Sequence, residues 1–325
     1  MTPRCLGCYL PLEDAGAIYH PACSRRLFGL ALPPSLPYGM EDLERAAKET
    51  AFRRVVVPGV QRKLSLHIER GQGPGGRLTI AGLWGSHVLK PQAGDFPCLP
   101  ENEDLTMHMA EACGIETVPH GLLPLSSGEL AYITRRIDRT FTGRGRGRKS
   151  IRIHMEDMAQ LTGKLTEQKY RGSMEQVARA VRKWSENPGF DLVRLFQVCL
   201  FCFLTGNGDM HLKNFSLLET ETGFRLSPAY DLLSTRLVIP ESADPEESAL
   251  SLGGKRAQFH RKDFESFGLY CGLTPRQMEN VFSGMKAAFP AMIDFLGKGF
   301  LPGQMADGYR HLLSERADRI GLEVE

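Results

Sequence analysis

The stretch Gly206-Asn-Gly-Asp-Met-His-Leu-Lys-Asn-Phe-Ser216 gathers Asp209, His211 and Asn214 within six residues, and Ser227-Pro-Ala-Tyr-Asp-Leu-Leu-Ser234 adds Asp231. Phosphoryl transfer needs a carboxylate to orient or deprotonate the attacking hydroxyl, and oxygen ligands for the Mg²⁺ that bridges nucleotide phosphates. Mg²⁺ takes one or two carboxylates and an amide oxygen in preference to soft ligands. Asp209 suits the base, and Asn214 and Asp231 suit the metal. The plainer reading is an Asx-rich set of turns whose side chains cap their own backbone. The company of Lys213 and of a second Asp beyond a short hairpin favours the chemical reading. His211 could be a metal ligand, a base or a brace for the loop. No His or Cys stands near it in sequence, which favours bracing or a nucleotide contact.

A second group precedes it. Val57-Pro-Gly-Val-Gln-Arg-Lys-Leu-Ser-Leu66 is a Gly-containing turn entering a strand. Backbone N–H groups around Gly59, Val60 and Gln61 can cradle phosphate, with Lys63 as a cation; an ordinary hairpin is the plainer reading. His87-Val-Leu-Lys90 ends a strand on a lysine, and Glu103 lies on the helix that follows. A lone strand lysine is usually a solvated edge residue, but the order strand-Lys then helix-Glu is that of a kinase small lobe.

A third group is Cys5-x₂-Cys8-x₁₁-His20-x₂-Cys23. Three thiols and an imidazole at chelate spacing suit a closed, structural Zn²⁺ site. A segment this short cannot bury enough apolar surface to hold itself, and a metal supplies the missing free energy. The competing reading is chance clustering. The other cysteines, Cys98, Cys113, Cys199, Cys202 and Cys271, fall in apolar or helical contexts and read as buried thiols.

These residues require elements to position them. Short β-prone runs are expected at 55–57, 63–69, 78–81, 87–90, 121–124 and 130–136, with helices at 41–52 and about 101–113. From residue 155 the pattern is helical: 155–164, 174–185, 190–205, 261–271, 275–287 and 304–320, interrupted by a hairpin at 215–218 and 224–227. The 190–205 segment is apolar on almost every face, which marks a central buried helix. The expectation is an α+β, two-lobed fold: 1–30 a zinc knuckle, 31–140 a β-rich lobe with the Gly-containing loop and ATP lysine, and 141–325 a helical lobe with the catalytic and metal loops.

Composition excludes several classes. The 325 residues are 42% hydrophobic and 24% charged, with a net charge of +2. That is ordinary globular composition with no global electrostatic case for nucleic-acid binding. No apolar run reaches the length of a membrane span, and the N-terminus lacks the apolar region of a secretory signal. A cytoplasmic, reducing setting is the expectation.

Several motifs together resemble the HipA family of bacterial serine/threonine kinases, the toxins of toxin–antitoxin modules. The carriers are GVQRKLSL (59–66), HVLKP (87–91), NE (102–103), RRIDR (135–139), HMEDMAQLTG (154–163), GNGDMHLKNFS (206–216) and PAYDLLS (228–234). The size and the DMHLKN sequence resemble the short HipT-like branch. That branch lacks an N-terminal subdomain, which a separate small protein supplies in three-gene systems. The resemblance implies a protein-kinase-like fold, with Asp209 as base and Asn214 and Asp231 on Mg²⁺. It puts Lys63 and Lys90 on the ATP phosphates, His211 and Tyr230 lining the site, and Arg135–Ile137 as the hinge beside adenine. It further implies an aminoacyl-tRNA synthetase as protein substrate, with inhibition of translation, and a cognate antitoxin that includes a DNA-binding protein. Direct DNA binding and membrane contact by this chain are not expected.

One departure stands out. The family often carries an autophosphorylated serine in or just before the Gly-containing loop, and this chain has Val55-Val-Val-Pro58 there. That control is then absent, or moved to Ser65 or Ser150. The basic run Arg144, Arg146, Arg148 and Lys149 alternates with glycine. It reads as a solvated loop, or as a contact for tRNA or an acidic synthetase surface; no aromatics interleave for base stacking. The alternatives to a protein kinase are a small-molecule kinase and a degenerate-kinase binding module.

Overall fold

The computed structural model describes the chain except residues 1–2, 53–62, 72, 82–83, 143–148 and 323–325. The expectations for the Gly-containing loop (Gly59, Val60, Gln61), for Val55–Pro58 and for most of the basic run lie outside the described residues. The chain forms two compact units. One comprises Met1–Leu105, Val118–Arg152 and Lys298–Phe300; the other comprises Thr106–Thr117, Ile153–Gly297 and Leu301–Glu325.

The first unit is built on a five-stranded sheet. Its strands are β1 (Leu64–Gly71), β2 (Gly73–Ile80), β3 (His87–Lys90), β4 (His120–Pro124) and β5 (Leu130–Arg135), in the order β2-β1-β3-β5-β4. Alternation places Leu64, Leu66 and Ile68 of β1 inside, as the two-residue strand period requires. β3 pairs with both β1 and β5, with Lys90 opposite Tyr132. α1 (Pro21–Phe28) follows the Cys-rich segment. It starts with Pro in the first turn and stops at Gly29, whose φ of 70° closes it. α2 (Met40–Phe52) follows the proline cluster, and α3 (Leu99–Ala112) begins in this unit after β3. β6 (Arg139–Thr142) and β7 (Lys149–Arg152) form a separate hairpin. Neither α1 nor this hairpin is marked in the sequence: the first is eight residues, and the second pairs two short polar strands.

The second unit is mainly helical. Its centre is α6 (Pro188–Leu204), on which Leu195, Phe196, Leu200, Phe201, Phe203 and Leu204 are all buried, in agreement with its all-round apolar sequence. α5 (Met174–Trp184), α7 (Arg261–Tyr270), α8 (Pro275–Lys298) and α9 (Gly303–Arg319) complete the helices. A three-stranded sheet, β10-β9-β8, consists of β8 (Met155–Asp157), β9 (Ser216–Thr220) and β10 (Gly223–Leu226).

Three expectations change. The helix expected over 155–164 is β8 followed by the short α4 (Met158–Leu161). Met155, Glu156 and Asp157 pair with β9, so the ladder captures the first residues. Asp157 then caps α4 by accepting the Gln160 amide at 2.9 Å. The helix expected to end at 287 runs on to Lys298 through Pro290. An interior proline costs about 3 kcal/mol, but the buried stripe Met285, Phe289, Met292, Leu296 continues past it. Burying two such side chains contributes roughly 1.5–3 kcal/mol each, so packing wins. Finally, Cys98 and Cys199 are only partly buried, unlike Cys113, Cys202 and Cys271. Among the described residues no helix is long and apolar enough to cross a membrane.

Candidate active site

In the second unit the loop after α6 is fixed by its backbone. Gly206 has φ 68°, and a Cβ there would lie 2.7 Å from Leu312 Cδ2 and 2.9 Å from Arg236 Cβ. Conformation and space both demand glycine. Thr235 Oγ1 donates to the Gly206 carbonyl at 3.1 Å and accepts the Gly208 amide at 2.8 Å. Buried Asn207 accepts the Asp209 amide at 3.2 Å. Asp209 is therefore an exposed carboxylate on a loop whose neighbours Asn207 and Met210 are buried. Tyr170 donates its hydroxyl to Asp209 Oδ1 at 2.8 Å.

His211 is buried, and burial holds its imidazole down at about 4, against the opposing pull of Asp209. It is neutral at physiological pH. Its ring meets Tyr170 edge-on at 5.2 Å, and its Nδ1 is buried with no hydrogen-bond partner among the described residues. The tight turn Leu212–Asn214 follows. The Asn214 side chain accepts the His211 amide at 3.2 Å and donates to Asp231 Oδ2 at 3.0 Å. Asp231 sits at φ 57°, a left-handed conformation that Asp tolerates better than most residues and that clusters at functional sites.

Lys213 pairs with Asp157 at 2.7 Å, so the residue that caps α4 also ties that helix to this turn. Tyr230 gives its hydroxyl to the Lys213 carbonyl at 3.0 Å and shares a hydrogen bond with Ser216 at 2.6 Å. It braces the turn from behind.

In the first unit, Lys90 and Glu103 form an ion pair at 2.5 Å with side chains 4% and 1% exposed. The Lys90 ammonium also lies 5.3 Å from the centre of the Tyr132 ring. Lys63 is exposed at the start of β1, Arg135 is exposed at the end of β5, and Ile137 is half-buried just beyond. Cys5, Cys8, His20 and Cys23 bring their ligand atoms within 4.8 Å of one another.

The structure thus joins Asp209, His211, Asn214 and Asp231 into one framework in one unit, and Lys90 to Glu103 in the other. Sequence reasoning missed Tyr170, Asp157 and Thr235. Asp157 stands inside the HMEDMAQLTG motif and was open to notice; Tyr170 lies 39 residues from its partner and carries no local signal.

The model of the HipA-like C-terminal domain matches residues 55–293. The chain belongs to the HipA-like kinase family. It is 26% identical over 323 residues to a protein of Sinorhizobium fredii named as a kinase, Y4mE, covering 97% of this chain and 71% of that one. It is 28% identical over 198 residues to the serine/threonine-protein kinase toxin HipA of Shewanella oneidensis, covering 56% of this chain and 43% of the toxin. The fold matches a solved structure of the HipA, HipB and operator DNA complex of Shewanella oneidensis MR-1. The TM-score is 0.69 at 21% identity, over 84% of this chain and 70% of that one. The α+β architecture is that of a HipA-like protein.

The donor set fits the Mg²⁺ that the family implies. Asn214 and Asp231 each carry a hard oxygen donor, and the Asn214 amide nitrogen already holds Asp231 Oδ2 at 3.0 Å. An amide oxygen has two acceptor positions, so accepting the His211 amide leaves Asn214 Oδ1 a second one.

Proposed function

We propose that this chain is an ATP- and Mg²⁺-dependent serine/threonine protein kinase acting as the toxin of a toxin–antitoxin module. The observation that carries the reading is the Asp209 loop. An exposed carboxylate on a rigid turn, five residues from an amide–carboxylate pair, is what hydroxyl activation beside a metal needs.

In this reading Asp209 accepts the proton of the substrate hydroxyl. Tyr170 holds one of its oxygens and orients the other. Asn214 and Asp231 would hold Mg²⁺, which would offset the negative charge of the phosphates, while ATP would supply the phosphoryl group and leave as ADP. Neutral His211 lines the site without adding a cation. Lys90, aimed by Glu103, and Lys63 contact phosphates, and the Gly59–Gln61 backbone cradles them. Arg135–Ile137 borders the adenine, and Tyr230 fixes the metal turn. We assign the ATP-holding lobe to residues 31–140 and the catalytic lobe to 141–325, whereas the compact units place 106–117 with the second and 141–152 with the first.

Family membership supports the finer reading: a short HipT-like toxin of the cytoplasm that phosphorylates an aminoacyl-tRNA synthetase. The partners would be an antitoxin, a DNA-binding protein among them, and a separate small subdomain-like protein.

The test is γ-labelled ATP added to a lysate with the full chain. Labelling of one protein band is expected, with loss of at least about a hundredfold in Asp209→Ala, the lower bound for a positioned general base, and in Asp231→Ala. Undiminished transfer in either variant overturns the assignment. Label in a metabolite and no protein overturns the protein-kinase reading.

A further inference from the structure

The Cys-rich segment is unused by the proposed reaction, yet its side chains converge on one another. Cys5 is buried, and Cys8, His20 and Cys23 are half-buried, with all three thiols free of disulfides. Their ligand atoms lie within 4.8 Å of one another, and Cys8 Sγ is 3.3 Å from His20 Nδ1. Tetrahedral bonds of ~2.3 Å to sulfur and ~2.0 Å to nitrogen put neighbouring ligand atoms roughly 3.5–3.8 Å apart. The cluster is therefore at the scale of a metal's coordination sphere.

The surroundings are those of metal-bound thiolates. Backbone amides of Gly7 and His20 donate to Cys5 Sγ at 3.4 and 3.3 Å. Hydrogen bonds of this kind favour the charged sulfur. Cys23 lies in the first turn of α1, where the helix dipole also favours a thiolate. His20 Nε2 is 3.0 Å from the Pro11 carbonyl. That contact places the ring proton on Nε2 and leaves Nδ1 as the ligand, the usual outer partner of a metal-bound imidazole. Gly7 has no room for a side chain: a Cβ would come within 2.5 Å of the Tyr19 ring.

The turn that brings Cys5 and Cys8 together also aims Tyr9. Tyr9 has φ 64°, a costly conformation for an aromatic residue, and its amide donates to the Cys5 carbonyl at 2.8 Å. Its ring is buried, and its hydroxyl donates to Asp104 Oδ2 at 2.7 Å. Asp104 is held on its other oxygen by His120 Nδ1 at 2.6 Å. On α3, Asp104 directly follows Glu103, the partner of Lys90. Two further bonds tie the segment to β4: Tyr19 donates to the Leu122 carbonyl at 2.7 Å, and the Leu122 amide to the Leu6 carbonyl at 3.0 Å.

We propose that Cys5, Cys8, Cys23 and His20 Nδ1 bind one zinc ion, and that this ion fixes the turn holding Tyr9 against Asp104. The knuckle then anchors the first turns of α3, beside the Lys90–Glu103 pair. The three-thiolate, one-imidazole set favours Zn²⁺ over hard cations, and with all four positions filled by protein the ion is structural.

The proposal is independent of the kinase reading, because its readouts are metal content and amide exchange. The full chain, produced in zinc-supplemented medium, is treated with a mercurial thiol reagent and the released zinc is titrated with a metallochromic dye. One zinc per chain is expected. Cys8→Ala should lose it, His20→Cys should keep it, and Cys271→Ala should not change it. If Cys8→Ala fails to fold, Tyr9→Phe keeps the test decisive. That variant should retain zinc while peptides covering 99–105 exchange hydrogen faster, as they should in chelator-stripped wild type. A zinc-free wild-type chain, or iron in its place, overturns the metal site. Unchanged exchange of those peptides in both stripped protein and Tyr9→Phe overturns the anchoring role.

Discussion

Lys90 shows how one residue type acquires a function from its setting. An ammonium removed from water must be paired, and Glu103 at 2.5 Å supplies the pair. Deleting one partner of such a buried pair costs about 3–5 kcal/mol. Glu103→Ala should therefore lower the urea midpoint strongly. Replacing both, as Lys90→Met with Glu103→Leu, should restore most of the stability while leaving phosphoryl transfer absent. Equilibrium unfolding and a transfer assay on the same preparations separate the two effects.

His87 gives a second test at this scale. Its ring is buried, with Nε2 3.0 Å from the Leu27 carbonyl, and burial holds it at about 4 against an ordinary 6.5. A histidine held low binds its proton more readily when unfolded. The stability associated with it is full above pH 6.5 and is lost as the pH falls toward 4. A shift of this size corresponds to roughly 3 kcal/mol. Thermal melts between pH 7 and pH 4 should show the loss, and His87→Phe should flatten that part of the profile.

At the scale of elements, the segment after α6 depends on what crosses it from elsewhere. Gly206 is pressed between Leu312 of α9 and Arg236. Gly206→Ala should cost about 1–3 kcal/mol from its left-handed backbone alone, and more from the collision. It should also displace Asp209, so activity should fall further than stability. Asp157 acts twice, as the cap of α4 and as the partner of Lys213. Asp157→Asn should keep most of the cap, whereas Asp157→Ala should lose roughly 1 kcal/mol. Comparing the two variants by thermal melting and transfer rate divides the cap from the ion pair.

At the scale of the molecule, neither unit is a continuous piece of chain. Lys298–Phe300 belong to the unit that carries the Cys/His cluster. Phe300 packs edge-on against Tyr9 at 5.1 Å, and Arg4 lies 5.4 Å from the same ring while its guanidinium donates to the Lys298 carbonyl at 2.5 Å. A fragment of residues 1–152 would lack these contacts. Phe300→Ala in the full chain should cost about 1 kcal/mol from the ring pair alone. Denaturant titration checks the value, and the fragment should be less stable than the full chain by at least as much. The near-neutral charge of the whole leaves chemistry to the site and not to a global field.

The sequence by itself determined what short spacing determines. The Asp209–Asn214 turn, the strand ending on Lys90, the apolar α6 and the Cys/His spacing are local patterns, each contained within about twenty consecutive residues or fewer. Tertiary structure decided the rest. Tyr170 reaches Asp209 across 39 residues, Lys213 reaches Asp157 across 56, and Tyr9 reaches Asp104 across 95. It also decided that 155–157 is a strand, because β9 was there to pair with it, and that α8 passes Pro290, because its buried stripe outweighed one lost hydrogen bond. Periodicity reports which face of an element is buried; only the folded chain reports what lies against it.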